Sequence, residues 1–267
     1  MFPGANADRE DADFVIVGAP LDVSTSFEPG TRFGPDRIRH YAQGFEDYDH
    51  HTELRFTDCA VHDYGDVAAW NDTQEYLDYL SGVLGDVRYE DSIPIVLGGE
   101  HTVSVAGVEA VEPDVFVTLD AHLDLREELG GNEWSHSTVT RHALETADRA
   151  VVLGARAGSE AEWDRAEAED VTVVPPDAIE DWTPDFEGRS VYFSVDIDAA
   201  DPGFAPGTGT KEPFGVTPAQ MRAVVRAVAP AMDGFDVVEV NDRDDGQAAT
   251  LAAKLLRKAV LERAGTR

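Results

Sequence analysis

Apolar residues along this chain come in short runs, at 14–17, 93–97, 115–119, 150–153, 171–174, 191–195 and 235–240, each bounded by polar or glycine-containing stretches. Runs this short, rich in valine, isoleucine, leucine and phenylalanine, predict strands. Between them, segments 74–84, 138–146, 161–168, 218–228 and 248–264 place apolar residues at helical spacing among good helix formers, and these predict helices. The alternation predicts βαβ units and so an α/β fold: a single-domain three-layer αβα arrangement, its sheet mostly parallel and its helices on both faces. Ligands of such sheets gather outside the carboxyl ends of the strands, so the residues just after each apolar run are where chemistry is expected. Two long stretches containing glycine and proline, 24–35 and 201–215, each open beside a predicted strand end and read as loops around a site.

With 267 residues and 42% hydrophobic content, the chain can bury one sizeable core, so residues 1–267 are expected to form one domain with residues 1–10 mobile. No apolar run approaches the roughly 20 residues that span a bilayer, and the N-terminus lacks a basic start followed by an apolar stretch. The expectation is a soluble, cytoplasmic protein with no membrane partner. Cys59 is the only cysteine, which excludes an internal disulfide and a cysteine-based zinc cage; a buried, inert thiol is expected. Formal charge is −32, from 53 acidic and 21 basic residues, and the only lysines are Lys211, Lys254 and Lys258. The acidity is spread over nearly every predicted helix and loop. Such a surface suits a protein kept soluble in very high salt, where screening suppresses self-repulsion, and it implies a halophilic archaeal source. Phosphate binding needs a basic face, so nucleic acid is excluded as a partner.

Against that background the placement of a few acids and histidines stands out. Asp120, His122 and Asp124 alternate where an apolar run turns polar, Asp196 and Asp198 do the same after 191–195, and His101 follows Gly98, Gly99 and Glu100 at the end of 93–97. Alternate residues on a strand share a face, so each segment can aim its ligands one way. A single Asp-x-His means little. Six ligands in three such clusters are different, because acids buried at strand ends without a partner cost several kcal/mol each and a divalent cation removes that cost. Two imidazoles and four carboxylates, without sulfur, are too hard a set for copper(I) or iron–sulfur clusters and fit manganese. Four carboxylates overcharge one ion but balance two, which could hold a hydroxide between them.

Gly98-Gly-Glu-His101, Asp120-Ala-His-Leu-Asp124 and the run from Ser194 to Thr210 resemble the three signatures of the ureohydrolase family, which includes arginases and agmatinases. The resemblance extends to residues 26–35, to Asp63-Tyr-Gly-Asp66 and to Val238-Glu-Val-Asn241, so it covers nearly the whole chain; Pro206-Gly-Thr-Gly-Thr210 is similar to agmatinases most of all. It implies two Mn²⁺ per chain, bridged by Asp120 and Asp196, with His101 and Asp124 completing one shell and His122 and Asp198 the other. It also implies that Glu239 receives the substrate guanidinium, that Thr210 lines the cavity, that His136 shuttles protons, and that the protein assembles as a homotrimer or homohexamer. The implied reaction is hydrolysis of a small cationic guanidino substrate, agmatine, to putrescine and urea. Four positions depart from the family pattern: Glu100 stands where aspartate is usual, Ser137 where glycine is common, Arg126 where arginases have asparagine, and Lys211 where proline is usual. A lysine at 211 would repel the distal ammonium of agmatine or attract the carboxylate of a guanidino acid. Aminopropylagmatine and a guanidino acid therefore stay open as substrates, arginine less so. Outside the class, a non-catalytic guanidino-compound binder would have lost ligands, and a dimetal phosphatase would need a Gly-Asn-His segment that this chain lacks.

Overall fold

Successive residues of the first strand belong to different cores: Phe14 and Ile16 pack into one apolar cluster, Val15 and Val17 into another on the opposite face. A sheet covered on both faces follows from that. The computed structural model describes residues 1–241 and 243–266. Its strands are β1 (Phe14–Ala19), β2 (Tyr48–Asp49), β3 (Leu54–Arg55), β4 (Val61–Asp66), β5 (Ile93–Gly98), β6 (Val115–Leu119), β7 (Arg149–Leu153), β8 (Val171–Val174), β9 (Val191–Asp196) and β10 (Met232–Val238). The helices are α1 (Gly34–Ala42), α2 (Thr73–Tyr89), α3 (Val103–Val111), α4 (Val139–Ala143), α5 (Glu160–Ala166), α6 (Pro218–Val228) and α7 (Gln247–Ala264). Eight strands form one parallel sheet in the order β4-β1-β5-β10-β9-β6-β7-β8, while β2 and β3 pair separately and antiparallel. Helices α1, α6 and α7 pack on one face, and α2, α3 and α4 on the other.

Strand order locates the crevice. From β6 the chain moves outward to β7, and from β9 it moves the opposite way to β10, although β6 and β9 are neighbours. Loops leaving their carboxyl ends diverge, which opens a binding crevice at this switch point.

Helix α6 has the expected bounds, set by a capping box in which Thr217 and Gln220 cap each other across the first turn. Besides the two-residue strands β2 and β3, three elements escaped the periodicity. Strand β4, at the sheet edge, reads Val-His-Asp-Tyr-Gly-Asp and has no apolar run, because half of it faces polar surroundings. Helix α3 is buried on nearly every side and so shows no amphipathic period, and α1 begins inside a stretch that reads as loop. The N-terminal segment packs against the edge of the sheet. Phe2 is buried against Phe56, its N–H donates to Asp63, and Ala7 N–H donates to the Val61 carbonyl, so an aromatic anchor and backbone bonds tie the segment to the edge strand. Asp63 and Asp66, singled out by motif, both accept from the buried Arg39 and clamp β4 to α1.

Candidate metal centre and its cavity

Four strand ends deliver the polar residues. His101 follows β5, Asp120 to Asp124 follow β6, Asp196 ends β9 with Asp198 in the next turn, and Glu239 follows β10. All six expected ligands converge. His101 Nδ1 lies 2.9 Å from Asp124 Oδ2, 3.1 Å from Asp120 Oδ2 and 3.5 Å from Asp196 Oδ2. His122 Nδ1 lies 3.0 Å from Asp198 Oδ2 and 3.6 Å from Asp120 Oδ1. The donor atoms of His101, Asp120 and Asp124 are within 4.8 Å of one another, and so are those of Asp120, His122 and Asp198; Asp120 is common to both groups. Asp196 Oδ1 accepts Asp198 N–H at 2.8 Å, which fixes the carboxylate with Oδ2 toward His101.

These groups fit divalent cations. His101 Nδ1 and Asp120 Oδ2 are both buried and 3.1 Å apart, yet neither has a hydrogen-bond partner, as befits two donors to a cation. Electrostatics point the same way. Burial pushes Asp124 up to about 7, with the charge of Asp120 adding to it, and burial together with the charges of Asp198 and Asp120 raises Asp196 well above the carboxylate range. Burial opposes charging His122, but Asp198 and Asp120 outweigh it and lift the imidazole to about 12. Four carboxylates facing two imidazoles are undercompensated without further positive charge.

A further set of contacts orients the candidate ligands. Ser194 on β9 donates to Asp236 Oδ1 at 2.6 Å, so its lone pair faces His101 Nε2 at 3.1 Å. That assigns the proton to Nε2 and leaves Nδ1 free as a donor to metal. Asp236 is fully buried on β10 and also accepts from Tyr192; an acid inside an apolar run was its signal in the sequence. Asp124 and Glu239 both have left-handed backbones, with φ of 52° and 61°, an unfavourable conformation for side chains that surrounding structure must impose.

Beside the ligands opens a cavity of about 480 Å³, walled by His122, Asp124, Arg126, His136, Thr210 and Glu212, with Ser26 and Glu162. His136 and Thr210 both line this cavity. Glu239 is instead buried, 3.7 Å from the position a side chain on Gly209 would occupy, and its Oε1 accepts His101 N–H at 2.8 Å. Burial, with the charges of Glu100 and Asp198, raises Glu239 to about 8 despite that bond. Burial, then the charges of His122 and His101, lowers His136 to about 4. His142, the nearby alternative, stacks on Trp134 at 4.2 Å and shares a 2.9 Å hydrogen bond with the Glu133 carbonyl, a structural role.

Arg156, after β7, is a residue the sequence reading passed over. Its guanidinium donates to the carbonyls of Asp198 at 2.9 Å and Glu212 at 2.7 Å, and also to those of Gly154, Ala199, Ala200 and Pro213. One side chain thereby ties a candidate ligand to the cavity loop. The only local signal was a charged residue closing the apolar strand run.

The arginase family model matches residues 12–262. Agmatinase of Bacillus subtilis (strain 168) is 33% identical over 98% of this chain and 95% of its own length, and N(1)-aminopropylagmatine ureohydrolase of Thermococcus kodakarensis is 34% identical over 92% and 89%. Among solved structures, agmatine ureohydrolase of Thermoplasma volcanium superposes with a TM-score of 0.92 at 31% identity, covering 99% of this chain and 94% of that one. With these matches spanning the strand-end ligands and the sheet that carries them, the chain belongs to the arginase family and is a ureohydrolase, a hydrolase of guanidino compounds.

Proposed function

We propose that this protein is a dimanganese agmatinase, hydrolysing agmatine to putrescine and urea. The observation that carries the dinuclear reading is that Asp120 belongs to both histidine–carboxylate groups. We assign His101, Asp120, His122, Asp124, Asp196 and Asp198 as ligands, and manganese as the ion preferred by their oxygen-rich, sulfur-free set. Two such ions, when bound, would lower the pKa of water enough to supply a nucleophile at neutral pH.

Residues of the chain do the rest. Glu239 receives the planar guanidinium through charge-assisted hydrogen bonds, and an arriving cation favours its ionised form over the neutral one that burial promotes. Thr210 lines the cavity. The departing nitrogen cannot leave as an amide anion, and His136 protonates it; a histidine held near 4 gives up an acquired proton readily.

Charge in and around the cavity supports agmatine. Lys211, a possible source of repulsion, donates to Glu28 Oε2 at 2.7 Å and to the Thr208 carbonyl at 3.0 Å, so its charge is paired. On the wall, Glu162 and Glu212 outnumber Arg126, which itself pairs with Glu162 at 3.2 Å. That balance favours an ammonium over a carboxylate. Aminopropylagmatine is the second reading, favoured by the Thermococcus relative named for it. Comparing kcat/KM for agmatine, aminopropylagmatine, arginine, 4-guanidinobutanoate and 3-guanidinopropanoate in molar salt tests the assignment: agmatine should lead, and preference for a carboxylate-bearing substrate would overturn it.

The proposal extends to a cytoplasmic homotrimer or homohexamer from a halophile, supported by the −32 charge with three lysines and by family resemblance. No helix among the described residues is long and apolar enough to cross a membrane. A monomer by light scattering in molar salt would refute the oligomer.

A further inference from the structure

Glu100 is fully buried beside the metal centre, yet it belongs to neither histidine–carboxylate group. Its four acceptor sites are all used. Oε2 accepts Val23 N–H and Ser24 N–H, both at 2.8 Å, while Oε1 accepts the hydroxyls of Ser24 at 2.8 Å and Thr102 at 3.1 Å. Two of these donors are consecutive backbone amides of the loop that follows β1, so the carboxylate fixes that loop rather than one side chain. Gly99 makes the approach possible: any Cβ there would lie 1.9 Å from the Leu21 carbonyl.

The anchored loop grips His136 twice. A hydroxyl has one proton, and Ser24 commits its own to Glu100, so its lone pairs face outward and accept His136 N–H at 3.0 Å. Two residues on, Ser26 Oγ lies 3.1 Å from His136 Nε2. Backbone and ring of the histidine are therefore both held by residues 24–26, across more than a hundred residues of sequence, and that grip is only as firm as the carboxylate beneath it. We propose that Glu100, acting through Ser24 and Ser26, is the positioning device for His136 in the cavity. The proposal rests on the reading of His136 as the proton carrier. Glu100 touches no substrate; it acts by denying the loop alternative positions, and displacement of a catalytic group by about 1 Å costs up to 100-fold in rate.

Ser24→Ala removes the link without disturbing the buried acid's other three bonds, and Ser24→Thr keeps the hydroxyl. Glu100→Gln preserves shape but turns an N–H₂ toward donors that need an acceptor. Each is made alone and together with His136→Ala, and the readouts are manganese content, kcat, KM with agmatine, and the ring nitrogen shifts of His136 by NMR. Ser24→Ala should keep its metal and its KM, lose about tenfold in kcat, and shift the His136 ring signals; Ser24→Thr should restore both. Added to His136→Ala, it should cost less than about twofold more, because residues acting as one unit are not additive. Should Glu100→Gln fail to fold, the serine variants decide alone. Independent losses in the double variant, unchanged kcat in Ser24→Ala, or metal loss from it would each overturn the proposal. If His136→Ala itself turned over normally, the proton-carrier reading would be the part at fault, and the proposal would fall with it.

Discussion

Replacing Asp120 with asparagine, which keeps its volume and removes its charge, should abolish the response to both ions, whereas Asp124→Asn should abolish one. The difference follows from geometry: Asp120 is common to the His101/Asp124 group and the His122/Asp198 group, and Asp124 belongs to the first alone. An ion that binds only the folded state stabilises it by about 2.7 kcal/mol when present at 100 times its dissociation constant. Two ions therefore contribute roughly 5 kcal/mol, and at about 2–4 °C per kcal/mol for a chain of this size the melting temperature should rise by on the order of 10–20 °C. Asp124→Asn should keep about half of that rise and Asp120→Asn almost none. Each variant is compared with its own chelator-treated form, because replacing Asp120 also alters its contacts with His101 and His122 in the metal-free protein. Calorimetry with and without manganese, alongside metal content by mass spectrometry, reads the result. An Asp120→Asn protein whose metal-induced rise equals that of Asp124→Asn would refute the shared-ligand geometry.

Three further outcomes are expected. Burial raises Glu239 from about 4.5 to about 8 in the metal-free protein, so the folded state holds a proton that the unfolded state has released between those values, and stability from this group falls as pH rises through the window. Metal-free Glu239→Gln should match wild type below pH 4.5 and become progressively more stable than it toward pH 8; an advantage that shrinks with pH would contradict the sign. Lys211→Ala should change the ratio of kcat/KM for agmatine over 4-guanidinobutanoate less than about threefold, since Glu28 already pairs the charge and exposed pairs are worth little; a larger swing would mean that the lysine faces the substrate. Cys59 is buried, and burial, with the charges of Asp58 and Asp47, raises its thiol to about 11, so it should resist an aromatic disulfide reagent at pH 8 until the protein unfolds.

The sequence alone determined a good deal here. Seven of the eight sheet strands, the parallel α/β class and all six candidate ligands were legible, because burial on both faces writes strands as apolar runs and because chemistry in such sheets sits at strand carboxyl ends. What period and run length cannot encode is contact between distant segments. Strand β4 lay at an edge and had no apolar run; α3 was apolar all round and had no period. Phe2, in a polar-looking N-terminal segment, became an anchor only because Phe56 is brought beside it. The same reason separates the ligands from their support. Asp120 and His122 announce themselves by alternation, but the pairing of Lys211 with Glu28, the six carbonyls held by Arg156 and the grip of Ser24 on His136 join residues far apart in the chain, and only the closing of loops over the sheet decides which of them meet.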